Sequence, residues 1–272
     1  MKRRLWTIVK VGVLSLFSVT TLFPFVWVLL SSFKSTAEIY GAAFKLPTTW
    51  LLSNYSTAWA GANIPLSFFN SLLYSLTAIL ITSLITGMAA YAIMRVHYSH
   101  AGYIFFSLGV TMPLYGVIIP LNIQFGNLGL TDTRIGLILA YTVISMSLSF
   151  FILSAYMRTI PKEIDEAASI DGCSLARCFF SIIMPLCKPA FATAATLQFI
   201  NCWNDLLLCL TLSSNESLRT LNLAVYSMRS NYVSNYGVIT AGIIMLVLPA
   251  LLIYIIFQEQ IIKGVISGAV KG

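Results

Sequence analysis

Residues 135–157 read IGLILAYTVISMSLSFFILSAYM, an interval with no Asp, Glu, Lys or Arg. An α-helix rises about 1.5 Å per residue, so such an interval can cross a hydrocarbon core of roughly 30 Å. Working outward, the intervals 11–33, 46–94, 96–131 and 230–258 are also free of charge, and 189–212 carries only Asp205. Divided at clusters of Pro, Gly, Asn and Ser, they give six expected spans: 11–32, 69–93, 102–124, 135–157, 190–212 and 237–258. Composition agrees. Of the 272 residues 58% are hydrophobic and 9% charged, against about 25% charged in soluble domains. Lipid must therefore replace water over much of the surface. Closed barrels are the other spanning architecture, and the sustained two-residue alternation of barrel strands is missing. The expectation is an all-α polytopic membrane helical bundle.

Lysine and arginine orient it. With a cytoplasmic N-terminus, Lys2, Arg3, Arg4, Lys10, Arg95, Arg158, Lys162, Arg177, Lys188, Lys263 and Lys271 fall inside; Lys34, Lys45, Arg134, Arg219 and Arg229 fall outside. This is the positive-inside bias, and it predicts both termini in the cytoplasm. Topology thus accounts for the net charge of +7, and no nucleic-acid partner is expected. The first apolar interval follows Lys2, Arg3 and Arg4 but is longer than a signal-peptide core and precedes no clear small-residue cleavage site. It is expected to be a retained span. The five cysteines form no CxxC pair and fall in a cytoplasmic loop or the fifth span, where no disulfide is expected. His97 and His100 lack further ligands nearby, so no metal is expected there.

The external segment 33–68, with Trp50 and Trp59, reads as an ordered cap with short interfacial helices. Gly126, Gly129, Asp132 and Arg134 mark the turn between the third and fourth spans. Small residues recur at Gly87, Ala89, Ala90 and Ala92 and at Ala190, Ala192, Ala194 and Ala195, which allows close helix approach. Pro113, Pro120 and Pro249 can kink their spans.

Residues 158–188, RTIPKEIDEAASIDGCSLARCFFSIIMPLCK, differ from everything else in the chain. Four of the nine acidic residues lie between Glu163 and Asp171. Two short helices are expected. Pro161 belongs to the first turn of one, with Glu163, Asp165 and Glu166 close behind, where the helix dipole favours negative charge. Gly172 closes that helix with a left-handed residue. Ser174 caps the second, which runs until Pro185 halts it. A helix lying on lipid would favour Lys and Arg on its polar face. The acidic character points instead to protein contact.

Glu166-Ala167-Ala168, Gly172 and Ile182-Ile183-Met184-Pro185 resemble the EAA loop of ABC importer permeases, EAA-x3-G-x9-I-x-L-P, with Met184 replacing leucine as the one departure. Phe199 to Asn204, with Trp203, is similar to the F-x-x-x-W-N segment of sugar permeases. Asn70-Ser71, Ala89 to Ala92 and Arg95 resemble their second span. The ending Gly264 to Gly272 resembles that of maltose-type, MalG-like permeases. The resemblance covers nearly the full length. It implies a type I ABC importer permease architecture in a bacterial inner membrane. Glu163, Glu166, Ala167, Ala168, Asp171, Gly172, Ile182 and Pro185 would seat in a dimeric cytoplasmic ATPase, and Gly268, Lys271 and Gly272 would form an ATPase-contacting tail. A homologous MalF-like second permease and an external solute-binding protein complete the implied assembly, with residues 213–236 as the expected contact for the latter.

The chain lacks a G-x-x-x-x-G-K-[ST] phosphate loop and any Ser-His-Asp or Cys-His arrangement. It is not expected to be an enzyme or to bind a cofactor; ATP and Mg are expected on the partner ATPase. Asp205 is the one acidic residue inside an expected span, and such residues face protein or water rather than lipid. With Tyr115, Gln124, Tyr141, Gln198, Asn201, Trp203 and Asn204 it makes up the candidate solute cavity, since aromatic faces and amides suit sugars. The solute is expected to be a carbohydrate, an oligosaccharide above all. The alternatives are a polyol, a glycerol-phosphate or a polyamine, and for the class as a whole a secondary transporter.

Overall fold

The computed structural model describes residues 2–229 and 235–269, with helical residues 2–5, 257 and 259–269 described by their backbone alone. Among these the chain is helical, with no strand. Helix α1 spans Lys2–Ser31, α2 Thr36–Gly41, α3 Ser53–Gly61 and α4 Ile64–Tyr91. A π turn, Ala92–Val96, extends α4; α5 (His100–Thr111), α6 (Leu114–Asn127) and α7 (Arg134–Met157) follow. The polar loop holds α8 (Glu163–Ile170), α9 (Leu175–Cys178), a second π turn (Phe179–Ile183) and α10 (Met184–Leu186). The chain ends with α11 (Lys188–Asn204), α12 (Leu207–Leu212), α13 (Leu221–Ser227) and α14 (Tyr236–Ala269).

Among the described residues, α1, α4 with its π turn, α7 and α14 are long and apolar enough to cross a membrane. Two further intervals reach that length only as bent pairs. Helices α5 and α6 meet at 104°, and the Leu175–Leu186 stretch meets α11 at 76°. The interval 102–124, expected as one span, is thus two helices. Pro113 has no N–H to continue α5, and Met112 before it takes the extended backbone that proline imposes on its neighbour. Pro120 and Pro249, by contrast, lie inside α6 and α14. Pro185 does not halt its helix either. The chain widens into the π turn just before it and runs on to Leu186, a local change of register that accommodates the missing donor.

The chain divides into two compact units, Met1–Pro65 with Ala224–Pro249 and Leu66–Leu223 with Ala250–Gly272. In the first, α1 exposes its apolar side chains along its length, Phe17 by 68%, as a helix bathed in lipid does. Its C-terminal end is knotted by Lys34, which is fully buried. The ammonium donates to the carbonyls of Ala42 (3.1 Å), Ala43 (3.2 Å) and Lys45 (2.5 Å), using all three of its protons. Asn54 donates to Ser32 O and Lys34 O, both at 2.9 Å, and ties α3 to the same knot. Ala58, Val238 and Ala241 form the small apolar core beneath.

Among the described residues of the second unit, two core clusters stand out. One surrounds Tyr74, Phe125, Leu137, Tyr141, Leu208, Leu212 and Leu218. The other surrounds Tyr91, Phe150, Leu153, Met157, Cys178, Phe179 and Ile183. Between α4, α7 and α11 runs a polar seam. Gln198 Nε2 donates to Thr82 Oγ1 (3.0 Å), and Thr82 Oγ1 donates to Thr142 O (3.3 Å). Such bonds hold helices together where lipid removes the hydrophobic drive between them. All five cysteines are free thiols.

Candidate functional site

The first site in the second unit is a cavity of about 570 Å³. Its floor is the break between α11 and α12. Asn204 ends α11, Asp205 turns extended at ψ 134°, and α12 restarts at Leu207. Irregular backbone at membrane depth is tolerated where it is buried or lines a cavity, and here it does the latter. The Asp205 carboxylate accepts from Tyr141 Oη (2.8 Å), Leu208 N (3.3 Å) and Cys209 N (3.2 Å). It thereby satisfies two of the free N–H groups at the start of α12. Asn222 Nδ2 donates to Asn204 O (2.7 Å) and holds the other side of the break.

Six of the expected cavity residues, Tyr115, Tyr141, Gln198, Asn201, Asn204 and Asp205, line this space. Two do not. Gln124 lies exposed on α6. Trp203 is buried, stacked on Phe199 at 5.5 Å and edge-on to Phe68 at 5.7 Å. Ser145 and Ser149 line the cavity and were not among the expected residues. They follow Tyr141 at successive four-residue steps, and helical periodicity would have found them.

A second arrangement joins the turn before α7 to the loop after α12. Asp132 has φ +55°, a left-handed conformation that Asp tolerates. Its carboxylate accepts from Ser214 N (2.6 Å), Ser214 Oγ (2.6 Å), Asn215 N (2.9 Å) and Ser213 Oγ (3.3 Å). The Ser214 hydroxyl, with the backbone N–H groups beside it, holds its carboxyl below the usual carboxylate range. Asn70 Nδ2 donates to Ser217 O (2.8 Å) and Arg219 O (3.1 Å), and Tyr74 Oη to Leu218 O (3.2 Å). The loop after α12 is therefore pinned down, with residues 214–217 as its exposed tip.

The third arrangement is the loop 158–188. Glu163 starts α8, so Pro161 stands two residues before the helix rather than in its first turn. Gly172 takes φ +73°. Gly172 N donates to Ser169 O (3.0 Å) and Cys173 N to Ala168 O (2.9 Å), the paired bonds of a Schellman ending. Ser174 Oγ accepts from Arg177 N (3.4 Å) and caps α9. Glu163, Glu166, Ala167, Asp171, Gly172 and Pro185 are exposed, Ile182 is half-buried and Ala168 is buried. Beside the acidic face stand two bare apolar side chains, Ile170 at 86% exposure and Leu175 at 61%. Gly268 lies in α14; Lys271 and Gly272 fall outside the described residues.

The family model of the binding-protein-dependent transport system inner membrane component matches residues 83–266, well over half of the chain. This chain belongs to that family. Its relatives include the diacetylchitobiose uptake system permease protein NgcG of Streptomyces coelicolor, 36% identical over 96% of this chain and 87% of the relative. The probable starch degradation products transport system permease protein AmyC of Thermoanaerobacterium thermosulfurigenes is 35% identical, over 91% of each. The lactose transport system permease protein LacG of Rhizobium radiobacter is 30% identical over all of this chain and 98% of its own. Among solved structures, a chain of a bacterial ABC transporter involved in the import of the acidic polysaccharide alginate superposes with a TM-score of 0.81. It covers 95% of this chain and 97% of that one at 22% identity, a likeness of fold. The chain is thus a membrane permease component of an ABC importer.

Proposed function

We propose that this chain is one of two homologous permease subunits of an ATP-driven importer that moves a carbohydrate across a bacterial inner membrane. The observation that carries the reading is the form of residues 163–175. An acidic, Schellman-closed helix with Ile170 and Leu175 bare at its end has the chemistry of a knob seated in another protein. Relatives named for diacetylchitobiose, starch degradation products and lactose support a sugar as the solute. The chain spans the membrane several times with both termini inside, in keeping with the positive-inside bias.

In this reading a dimeric ATPase binds ATP and Mg, and this chain binds neither. Glu163, Glu166, Ala167, Ala168, Asp171, Gly172, Ile182 and Pro185 form the coupling knob, and Gly268, Lys271 and Gly272 approach the ATPase from the tail. The external binding protein docks over the 213–236 region, of which 230–234 lie outside the described residues, and the exposed tip 214–217 is where that contact can be altered cleanly. Removing the whole loop is a poor test, because Leu218, Leu221 and Leu223 are core residues. Inside, the cavity at the α11–α12 break offers amides from Gln198, Asn201 and Asn204 and the Tyr115 ring to a hydroxylated solute.

Affinity purification from the native membrane tests the assembly. An ATPase and a second permease are expected to accompany the chain. A chain that purifies alone, and alone carries sugar without ATP, would overturn the reading.

A further inference from the structure

The least exposed charge at the base of the second unit is Arg95, whose side chain is 3% exposed. It stands in the π turn that ends α4, closed by the bond from His97 N to Ala92 O at 2.9 Å. Its guanidinium uses every donor direction. Nη1 donates to Met157 O (2.8 Å) and Ile160 O (2.7 Å), and Nη2 to Pro161 O (2.7 Å). Nε donates to Asp165 Oδ2 (2.7 Å), and Nη2 forms an ion pair with the same oxygen. Met157 is the last residue of α7, so Arg95 adds a second donor, beside Ile160 N, to the carbonyl that ends that helix. Asp165 belongs to α8, and its other oxygen accepts from Cys178 Sγ of α9 at 3.7 Å. Arg95 thus joins the ends of α4 and α7 to α8, and Asp165 carries the connection on to α9.

The surrounding packing repeats the connection. Tyr91, one turn before Arg95, packs on Phe179 of the second π turn with ring centroids 5.5 Å apart. Gly87, one turn further back, lies so close to Phe191 and Phe179 that a Cβ there would stand 2.8 Å from the former and 3.2 Å from the latter. Both π turns lie on this contact, and such turns re-aim side chains at a cost in helix regularity.

We infer that Arg95 is a positioning residue for coupling: it locks α8 and α9 to α4 and α7, so that displacement of the polar loop turns those two spans with it. The inference rests on the proposed function, since it names how the knob engages this chain's own helices. A planar five-donor fork is required, because a lysine carries three donors on a single point and cannot reach a carboxylate and three carbonyls together.

The test uses the complete complex, with its second permease, ATPase and binding protein, in proteoliposomes, reading ATP hydrolysed per sugar imported. Arg95→Gln is expected to raise that ratio about fivefold or more, the low end of the coupling between distinct sites, with Arg95→Lys intermediate. Asp165→Asn removes only the ionic arm and leaves the three carbonyl contacts, so it serves if Arg95→Gln does not assemble; it too is expected to raise the ratio. A role confined to folding would lower hydrolysis and import together through yield, with the ratio unmoved. An unchanged ratio in assembled Arg95→Gln or Asp165→Asn complex overturns the inference while wild type still imports. A wild-type complex that imports without ATP overturns the proposed function instead.

Discussion

Gly172 holds φ +73° with nothing within 4 Å of where a Cβ would stand. Alanine there meets no clash, only the left-handed backbone, and is expected to cost roughly 1 kcal/mol in the local turn. Proline is different in kind. It fixes φ near −65° and removes the donor to Ser169 O, so the Schellman ending cannot form. Gly172→Pro is expected to leave an assembled complex that hydrolyses ATP without import, and wild-type import at normal expression would refute this. Lys34 offers a contrasting prediction. Lys34→Met takes the ammonium from three carbonyls, of which Ala42 O keeps Lys45 N and Ala43 O keeps Trp27 Nε1, and is expected to lower thermal stability by about 1–3 kcal/mol with the hydrolysis-to-import ratio intact; calorimetry of the complex reads it. Asp132 sets a pH dependence. Its folded pKa is depressed, so the hold on residues 213–215 is complete above the ordinary carboxylate value and is lost as pH falls through the folded one. The protection factor against hydrogen exchange at Ser214 and Asn215 should stay high from about pH 7 to the ordinary carboxylate range and fall below it. In Asp132→Asn it should be low and independent of pH, and strong protection in that variant would contradict the assignment.

Elements were legible from sequence wherever the signal was local. The Gly172 turn and the Ser174 cap follow from residue type and position, and so does an acidic helix at Glu163. Long apolar runs announce helices such as α7 because lipid demands length and hydrophobicity. The breaks were not legible. Pro113 ends a helix whereas Pro120, Pro185 and Pro249 do not, because the outcome depends on which neighbours satisfy the freed backbone groups. The α11–α12 break at Asp205 needs Tyr141, 64 residues earlier, and Asn222 to hold it. In the cavity, the four-residue steps from Tyr141 to Ser145 and Ser149 were readable. The burial of Trp203 was not, since it depends on Phe68 from another helix. For the α11–α12 break, Asp205→Leu should free two amides of α12 and the Tyr141 hydroxyl, lowering the complex's thermal stability and its sugar affinity. Unchanged values for both would show that the break does not depend on the carboxylate.

For the whole molecule, composition and hydropathy point to a membrane bundle, and the 163–185 spacing points to a motor on another chain. The fold and the family agree with the first of these, a membrane permease. Long-range pairings such as Arg95 with Asp165, 70 positions apart, lie beyond any reading of local pattern. Yet they decide how the loop meets the spans. The central claim is that sugar moves through this chain only when ATP is spent by its partners. Uptake of a labelled oligosaccharide into proteoliposomes, by the full complex with its binding protein and with or without enclosed ATP, tests it most directly. The account predicts uptake with ATP, none without it, and none from this chain alone. Equal uptake in the absence of ATP would contradict it.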